Sequence, residues 1–334
     1  MTTASRGRGL LVAAVAVMVC AGAPMPAAAQ EPVPTVFFGD SHTANFGIAP
    51  VFEAWDPQEY YCFRSEENYP AVVAKELAAQ GITLDVASDR SCSAALIEHF
   101  WTSQPLPGGE SKPPQQEALG HGTRLVVGSL GDNTLGFVQI LQQCSRRLRE
   151  LGETLPGDPV DPDDPAERCA AFFTVGDGRR WLDSRFATVA EELERLFDTI
   201  GAYSPDAETV LVGYPRIVPA DIVKCQTPAP GQTDKPLADI PTEALPVFDN
   251  ILERLNDLMR AKTDDAGAVF VDLYTVTGAN TACDGDHRGI GGLFENSQLN
   301  FGTTPLPWVL HPNTRGRDLQ AHHVATAIRQ ALDS

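Results

Sequence analysis

What most limits the fold of this chain is its alternation of short apolar runs with longer amphipathic stretches. Val33–Phe38 is the first run, rich in β-branched and aromatic residues and closed by Gly39. Ile82–Ala87, Leu125–Val127, Thr209–Gly213 and Ala268–Val271 follow. Strands buried on one face alternate polar with apolar residues, whereas strands buried on both faces do not. These runs lack a period of two, so they are expected as interior strands. Ala71–Gln80, introduced by Pro70 and closed by Gly81, carries helix start and stop signals. In Ser184–Ile200, residues Phe186, Val189, Leu193, Leu196, Phe197 and Ile200 share a face; in Leu245–Lys262, Phe248, Ile251, Leu252, Leu255 and Met259 do. Gly136–Glu150 reads as a helix whose end carries Arg146, Arg147 and Arg149, cations suited to the negative helix terminus. Thr314–Leu332 reads as the last helix.

Strands alternating with helices predict an α/β fold with a central parallel sheet and helices on both faces, a three-layer sandwich. There is no internal repeat. Gln104–Gln116, Leu151–Glu167 and Thr227–Thr242 are rich in Pro, Gly and Asp. Strand and helix signals resume after each, so they are expected as surface excursions within one domain.

The first 29 residues differ from the rest. Arg6 and Arg8 precede an apolar run, Gly9–Ala23, that is short for a membrane span, and Ala27-Ala28-Ala29 gives an A-x-A pattern. This order predicts a secretory signal peptide, residues 1–29, ahead of a single domain over residues 30–334, and hence a secreted protein. A lipoprotein anchor at Cys20 is the lesser alternative, because Val19 is bulky where a small residue is wanted. Cleavage removes two arginines and no acid, making the formal charge of −19 more negative. Such acidity argues against nucleic acid or an anionic membrane as partner. Of seven cysteines, Cys62, Cys92, Cys144, Cys169, Cys225 and Cys283 remain. An even number in an exported chain favours three disulfides, and no C-x-x-C pair suggests zinc.

Candidate chemistry lies where the strands end, since parallel sheets hold their sites at the carboxyl edge. Gly39-Asp40-Ser41 follows the first strand, and Ser41 there has an exposed hydroxyl near backbone N–H groups; alone, the tripeptide is equally a helix N-cap. A serine nucleophile needs a base within hydrogen-bond reach. Leu310-His311-Pro312-Asn313, with Thr314 and Gly316, offers one just ahead of the last helix. Of the other histidines, His42 adjoins Ser41, but adjacent side chains seldom align for proton transfer. His99, His121, His287, His322 and His323 read as surface or packing residues. Gly131-Asp132-Asn133 follows the third strand, and an Asn amide there can donate to an oxyanion, although Asn and Gly also suit an ordinary turn. Ser91-Cys92-Ser93-Ala94 follows the second strand and offers a backbone donor or a disulfide anchor.

In this order the blocks resemble the SGNH (GDSL-type) hydrolases, and within them the disulfide-bonded secreted esterases and lipases of actinobacteria. Val36-Phe37-Phe38-Gly39-Asp40-Ser41 matches the nucleophile block. Cys62-Phe63-Arg64-Ser65 with Tyr69-Pro70 matches a C-x-R-S…Y-P segment. Leu130-Gly131-Asp132-Asn133-Thr134-Leu135-Gly136-Phe137 aligns with I-G-G-N-D-x-G-F. Val212-Gly213-Tyr214-Pro215-Arg216 and His311-Pro312-Asn313 with Gly316 complete the set. The resemblance implies a flavodoxin-like α/β/α sandwich and a carboxylic ester hydrolase acting through an acyl-enzyme on Ser41, with His311 as general base. It implies oxyanion donors at the Ser41 N–H, the Ala94 N–H and the Asn133 amide, and disulfides Cys62–Cys92, Cys144–Cys169 and Cys225–Cys283. The substrate would be a small-molecule or lipid ester and the protein a monomer, with no metal or cofactor.

Three departures from the pattern matter. The usual C-S-G-A is Cys92-Ser93-Ala94-Ala95, which keeps the N–H of Ala94 provided that the turn needs no positive φ. Asp132 and Thr134 flank Asn133 where Gly and Asp are usual, which leaves the amide donor intact. The Asp often found three before the base is replaced by Trp308. Some members of this branch orient the base by the main-chain carbonyl at that position, which implies a Ser41–His311 dyad oriented by the Trp308 carbonyl. On that basis Trp308→Ala is expected to keep much activity. The alternatives are a carbohydrate deacetylase on the same fold and a non-catalytic glycan-binding module. No G-x-S-x-G elbow, H-E-x-x-H, P-loop or dinucleotide fingerprint is present. Asp161, Asp163 and Asp164 lack an EF-hand pattern and read as a solvated loop.

Overall fold

A computed structural model of the chain describes residues 1–2, 31–51, 57–150 and 166–333. The expected signal peptide with Cys20, and Asp161, Asp163 and Asp164, lie outside the described residues.

The apolar runs pair as five parallel strands: β1 Val33–Gly39, β2 Leu84–Asp89, β3 Leu125–Ser129, β4 Glu208–Val212 and β5 Val269–Val271, in the order β2-β1-β3-β4-β5. Thr35 to Gly39 run in register with Leu125 to Ser129. Successive side chains alternate between faces, so Phe38, Val126 and Leu211 enter one core and Phe37, Leu125, Val127, Val210 and Val212 the other. The first core is closed by α2 (Gly176–Tyr203) and α3 (Leu245–Asp265) through Val189, Leu193, Phe248, Leu252 and Leu255. The second is closed by α1 (Tyr69–Ala79) and α4 (Thr314–Leu332) through Val73, Leu77, Val324 and Ile328. This is the three-layer α/β/α sandwich expected from the alternation. No helix among the described residues is long and apolar enough to cross a membrane.

The strand order fixes where a site can be. The chain steps from β1 outward to β2, then returns past β1 to β3, so the connections diverge at the carboxyl ends of β1 and β3. Such a switch point leaves a crevice between loops leading to opposite layers. Ser41 and Asn133 follow these two strands directly.

The structure corrects the sequence at Gly136–Glu150, which is not one helix but two short ones, Phe137–Gln142 and Arg146–Arg149. Cys144 is bonded to Cys169 at the break. Ser145 caps the second piece by accepting from the Leu148 N–H and donates to Asp239 at 2.7 Å. Arg149 turns back to the orphaned Gln142 and Gln143 carbonyls, 3.1 Å from each, so a cation does meet the negative end of the first piece. Two small antiparallel ribbons were also unexpected: Gln104–Pro105 with Ser111–Lys112, inside the first excursion, and Asn296–Phe301 with Thr304–Pro307.

Candidate active site

The site begins with the sharp exit from β1. Gly39 has φ +146°, and a Cβ there would lie 2.2 Å from Thr43 Oγ1 and 2.9 Å from the Ser129 carbonyl, so only glycine fits. Gln115 fixes its peptide plane: the Gly39 N–H donates to Gln115 Oε1 at 2.7 Å, and Gln115 Nε2 donates back to the Gly39 carbonyl at 2.9 Å. Asp40 then caps the short helix Ser41–Ala44 by accepting from the His42 N–H at 2.8 Å. Ser41 therefore stands at a helix start, 7% exposed. Among the described residues nothing accepts from its N–H.

His311 reaches Ser41 from the other end of the chain. Its Nε2 is 2.7 Å from Ser41 Oγ, and its Nδ1 is 2.8 Å from the Trp308 carbonyl and 3.0 Å from that of Val309. The His311 N–H donates to the same Trp308 carbonyl at 3.0 Å. Val309 and Leu310 both take positive φ, 48° and 61°, which curls the chain so that one carbonyl meets ring and backbone together. With Nδ1–H held by carbonyls, Nε2 is the unprotonated nitrogen and faces the hydroxyl. Among the described residues no carboxylate meets Nδ1. The halves are locked together by Asn45, whose Nδ2 donates to Gln320 of α4 at 2.8 Å while its Oδ1 accepts from the Tyr69 N–H at 2.5 Å. The His311 ring is half-buried between His42 and Phe46, with centroids 4.9 and 5.1 Å away. Burial, then the neighbouring His42, lowers its pKa to about 4, against smaller upward effects from Asp132 and the two carbonyls.

The loops after β2 and β3 complete the crevice. Cys62 and Cys92 are bonded to one another, as are Cys225 and Cys283. The Cys92 N–H donates to the Gly39 carbonyl at 3.0 Å and the Ser93 N–H to the Cys62 carbonyl at 3.0 Å, so the Ala94 loop is sewn to the exit of β1. Asn133 Nδ2 donates one hydrogen to the Ala95 carbonyl at 3.2 Å, which ties its amide to that loop and leaves a second hydrogen. Nothing among the described residues accepts from the Ala94 N–H. Ala94 has φ +62°, so the turn does need the left-handed conformation, and an exposed Ala holds it. The left-handed region costs a non-glycine residue about 1–2 kcal/mol. Glycine would return part of that as chain entropy, so Ala94→Gly is expected to raise stability by about 0.5–1 kcal/mol in urea unfolding.

Four further side chains enter the site that the sequence did not single out for it. Tyr214, after β4, donates its hydroxyl to Asp40 at 2.6 Å and accepts from the Asp132 N–H at 3.0 Å. His42 Nδ1 lies 3.4 Å from Asp132 Oδ2 and 3.9 Å from Asp40 Oδ1. Burial, then the charge and hydrogen bond of Asp132, pushes Asp40 well above the usual carboxylate range. Burial would raise Asp132 as well, but contact with His42, the Asp40 hydrogen bond and the charge of His311 outweigh it and hold Asp132 low. The two carboxyls are thus pushed apart, Asp40 toward its neutral form and Asp132 toward its ionised one. Ligand atoms of Asp40, His42 and Asp132 lie within 4.8 Å of one another. They are nevertheless engaged with each other, Tyr214 and the helix cap, which does not read as a metal centre. The only hint in the sequence was Asp132 standing where the family pattern has Gly.

The fold and the crevice at β1 and β3 define an SGNH-type α/β hydrolase. The chain belongs to the GDSL-like Lipase/Acylhydrolase family, whose model matches residues 37–319. It is 58% identical over 332 residues to an esterase of Streptomyces scabiei, covering 98% of this chain and 96% of the relative. It is 30% identical over 300 residues to Lipase 2 of Streptomyces coelicolor, covering 89% and 86%. In fold it is similar to the phospholipase A1 of Streptomyces albidoflavus NA297, with TM-score 0.57 and 18% identity over 91% of this chain and 99% of that one. The protein is a carboxylic ester hydrolase of this family.

Proposed function

We propose that the protein is a secreted serine esterase or lipase that works through an acyl-enzyme on Ser41, with a Ser41–His311 dyad in place of a triad. The observation carrying this reading is the chain of contacts from Ser41 Oγ through His311 Nε2 and Nδ1 to the Trp308 carbonyl. His311 takes the hydroxyl proton as Oγ bonds to the ester carbonyl carbon, then gives that proton to the leaving alcohol as the carbon–oxygen bond breaks. Water repeats the sequence on the acyl-enzyme. The Ser41 and Ala94 N–H groups and the remaining Asn133 hydrogen hold the oxyanion. The Trp308 carbonyl fixes the imidazole tautomer and ring plane, as a carboxylate would in a triad. Residues 1–29 serve as the signal peptide and residues 30–334 as one catalytic domain. The substrate is a small-molecule or lipid ester, and the enzyme acts as a monomer. The test is covalent labelling by a fluorophosphonate, followed by peptide mapping: a label on Ser41 supports the reading, and a label elsewhere, or none, defeats it.

The lowered His311 pKa gives a pH profile. The free base is present above about pH 4, so kcat/KM for a neutral ester is expected to hold at pH 5 and fall with an acid limb near pH 4. Stability behaves differently. Unfolded His311 binds its proton near 6.5 and folded His311 near 4, so in that window the unfolded chain holds more protons. Its contribution to stability is complete above pH 6.5 and declines as pH falls toward 4. Thermal unfolding at pH 5 and pH 8 is expected to show this loss, and His311→Gln to reduce it.

A further inference from the structure

The dyad has no carboxylate where many relatives have one, three residues before the base. It has one elsewhere. Asp132 is 8% exposed and its Oδ2 faces Nδ1 of His42, whose ring lies 4.9 Å from that of His311 with an interplanar angle of 31°. We propose that Asp132 and His42 form a positioning pair that supplies this missing negative charge, steadying the imidazolium that His311 becomes when it takes the Ser41 proton. The inference rests on the Ser41–His311 reading and deepens it.

Three observations carry it. The carboxylate is built in: Asp132 Oδ1 accepts from the Asn133 N–H at 2.6 Å, and the Asp132 N–H is held by Tyr214. Oδ2 is thereby aimed at the one imidazole beside the base. His42 is equally confined, with Tyr214 edge-on to its ring at 4.9 Å and His311 on its other side. The charges facing His42 are unequal. Burial pushes Asp40 toward its neutral form and the Tyr214 phenol far up beside both carboxyls, whereas Asp132 is held low and is the carboxyl that favours its charge. A cation forming on His311 is attracted by Asp132, whose charge acts upward on the base. In a buried site this effect is weakly screened. The pair moves no proton itself. The proton goes from Ser41 Oγ to His311 Nε2 as before, and Asp132 remains ionised throughout.

The test compares pH profiles of the full chain with Asp132→Asn, Asp132→Gly, His42→Phe, Ser41→Ala and His311→Ala, using one p-nitrophenyl ester. Asp132→Asn is expected to lower kcat about tenfold with KM little changed. It is also expected to move the acid limb of kcat/KM down by about one pH unit, since removing an anion disfavours imidazolium. Asp132→Gly, which restores the residue usual in the family block, is expected to do the same and guards against misfolding of the amide variant. His42→Phe, which removes the nitrogen that Asp132 faces, is expected to lower kcat about as Asp132→Asn does. A limb and kcat unchanged in both Asp132 variants overturn the pair, even if their melting temperatures fall, because a merely structural Asp132 would change stability alone. Fluorophosphonate labelling separates the two readings. Variants that label on Ser41 with an unmoved limb refute only the pair, whereas turnover near the wild-type rate by Ser41→Ala or His311→Ala refutes the dyad beneath it.

Discussion

Ser41→Ala is expected to lower kcat on a short p-nitrophenyl ester by about a millionfold, and His311→Ala to fall to a similar level. The two losses should be alike because the residues act as a unit. Without Oγ nothing forms the acyl-enzyme, and without Nε2 at 2.7 Å the hydroxyl keeps its proton. The double variant is accordingly expected to be little worse than either single one. What remains would be oxyanion stabilisation by the main-chain N–H groups at positions 41 and 94 and by Asn133, acting on direct attack by water. Steady-state kinetics on the three variants, with circular dichroism to establish folding, make the comparison. Additive losses would mean that the two residues serve separate functions, and a fully active Ser41→Ala would remove the nucleophile altogether.

The pair proposed as catalytic, Ser41 and His311, was legible because its neighbours are unusual in one dimension. Val33–Phe38 is mostly apolar and is followed by Gly39, so both the buried strand and the turn after it could be read, although that turn proves buried, with Ser41 7% exposed. His311 sits in an equally marked segment ahead of a helix with a clear apolar face. The cluster around them was hidden because it is built from contacts far apart in the chain. Tyr214 bonds Asp40 across 174 residues and Asn45 bonds Gln320 across 275. Gln115 lies in a stretch whose Pro and Gly content marks it as excursion, yet its amide completes the hydrogen bonding of Gly39. His42 was set aside because neighbours in sequence seldom exchange protons with one another. That argument holds for Ser41, but it says nothing of Asp132 or His311 on either side. Element ends failed for local reasons. α2 starts at Gly176 and not at Ser184, because its first turns hold two glycines among charged residues and give little apolar pattern to read. The ribbon Asn296–Phe301 buries only Leu299 and so carries no strand signal.

Trp308→Ala is the substitution for which packing most changes the expectation drawn from sequence. The reacting group at this position is a main-chain carbonyl, and alanine has the same one, so chemistry alone expects much activity to survive. The indole, however, is 5% exposed and lies against two bare backbones. A Cβ on Gly47 would fall 2.4 Å from its six-membered ring, and one on Gly291 would fall 2.1 Å from Cγ. Gly47 follows the Ser41 helix, while the Gly291 N–H donates to the His311 carbonyl at 3.0 Å. The ring is therefore the wedge between the segment carrying Ser41 and the segment carrying His311. Truncation to alanine leaves a cavity of nearly the whole indole, at a cost of about 3–5 kcal/mol. Collapse around that cavity shifts the turn at Val309 and Leu310, whose positive φ values depend on being held. A displacement of about 1 Å between His311 and Ser41 costs on the order of a hundredfold in rate. Trp308→Ala is thus expected to lower both stability and kcat by these amounts, and Trp308→Phe, which keeps a flat ring against the glycines, to recover most of both. Gly47→Ala attacks the same contact from the other side and is expected to mimic Trp308→Ala, with φ +99° adding strain of its own. Urea unfolding with kinetics on the three variants tests the wedge. If Trp308→Ala turns over at the wild-type rate, the carbonyl is held by the backbone turn alone.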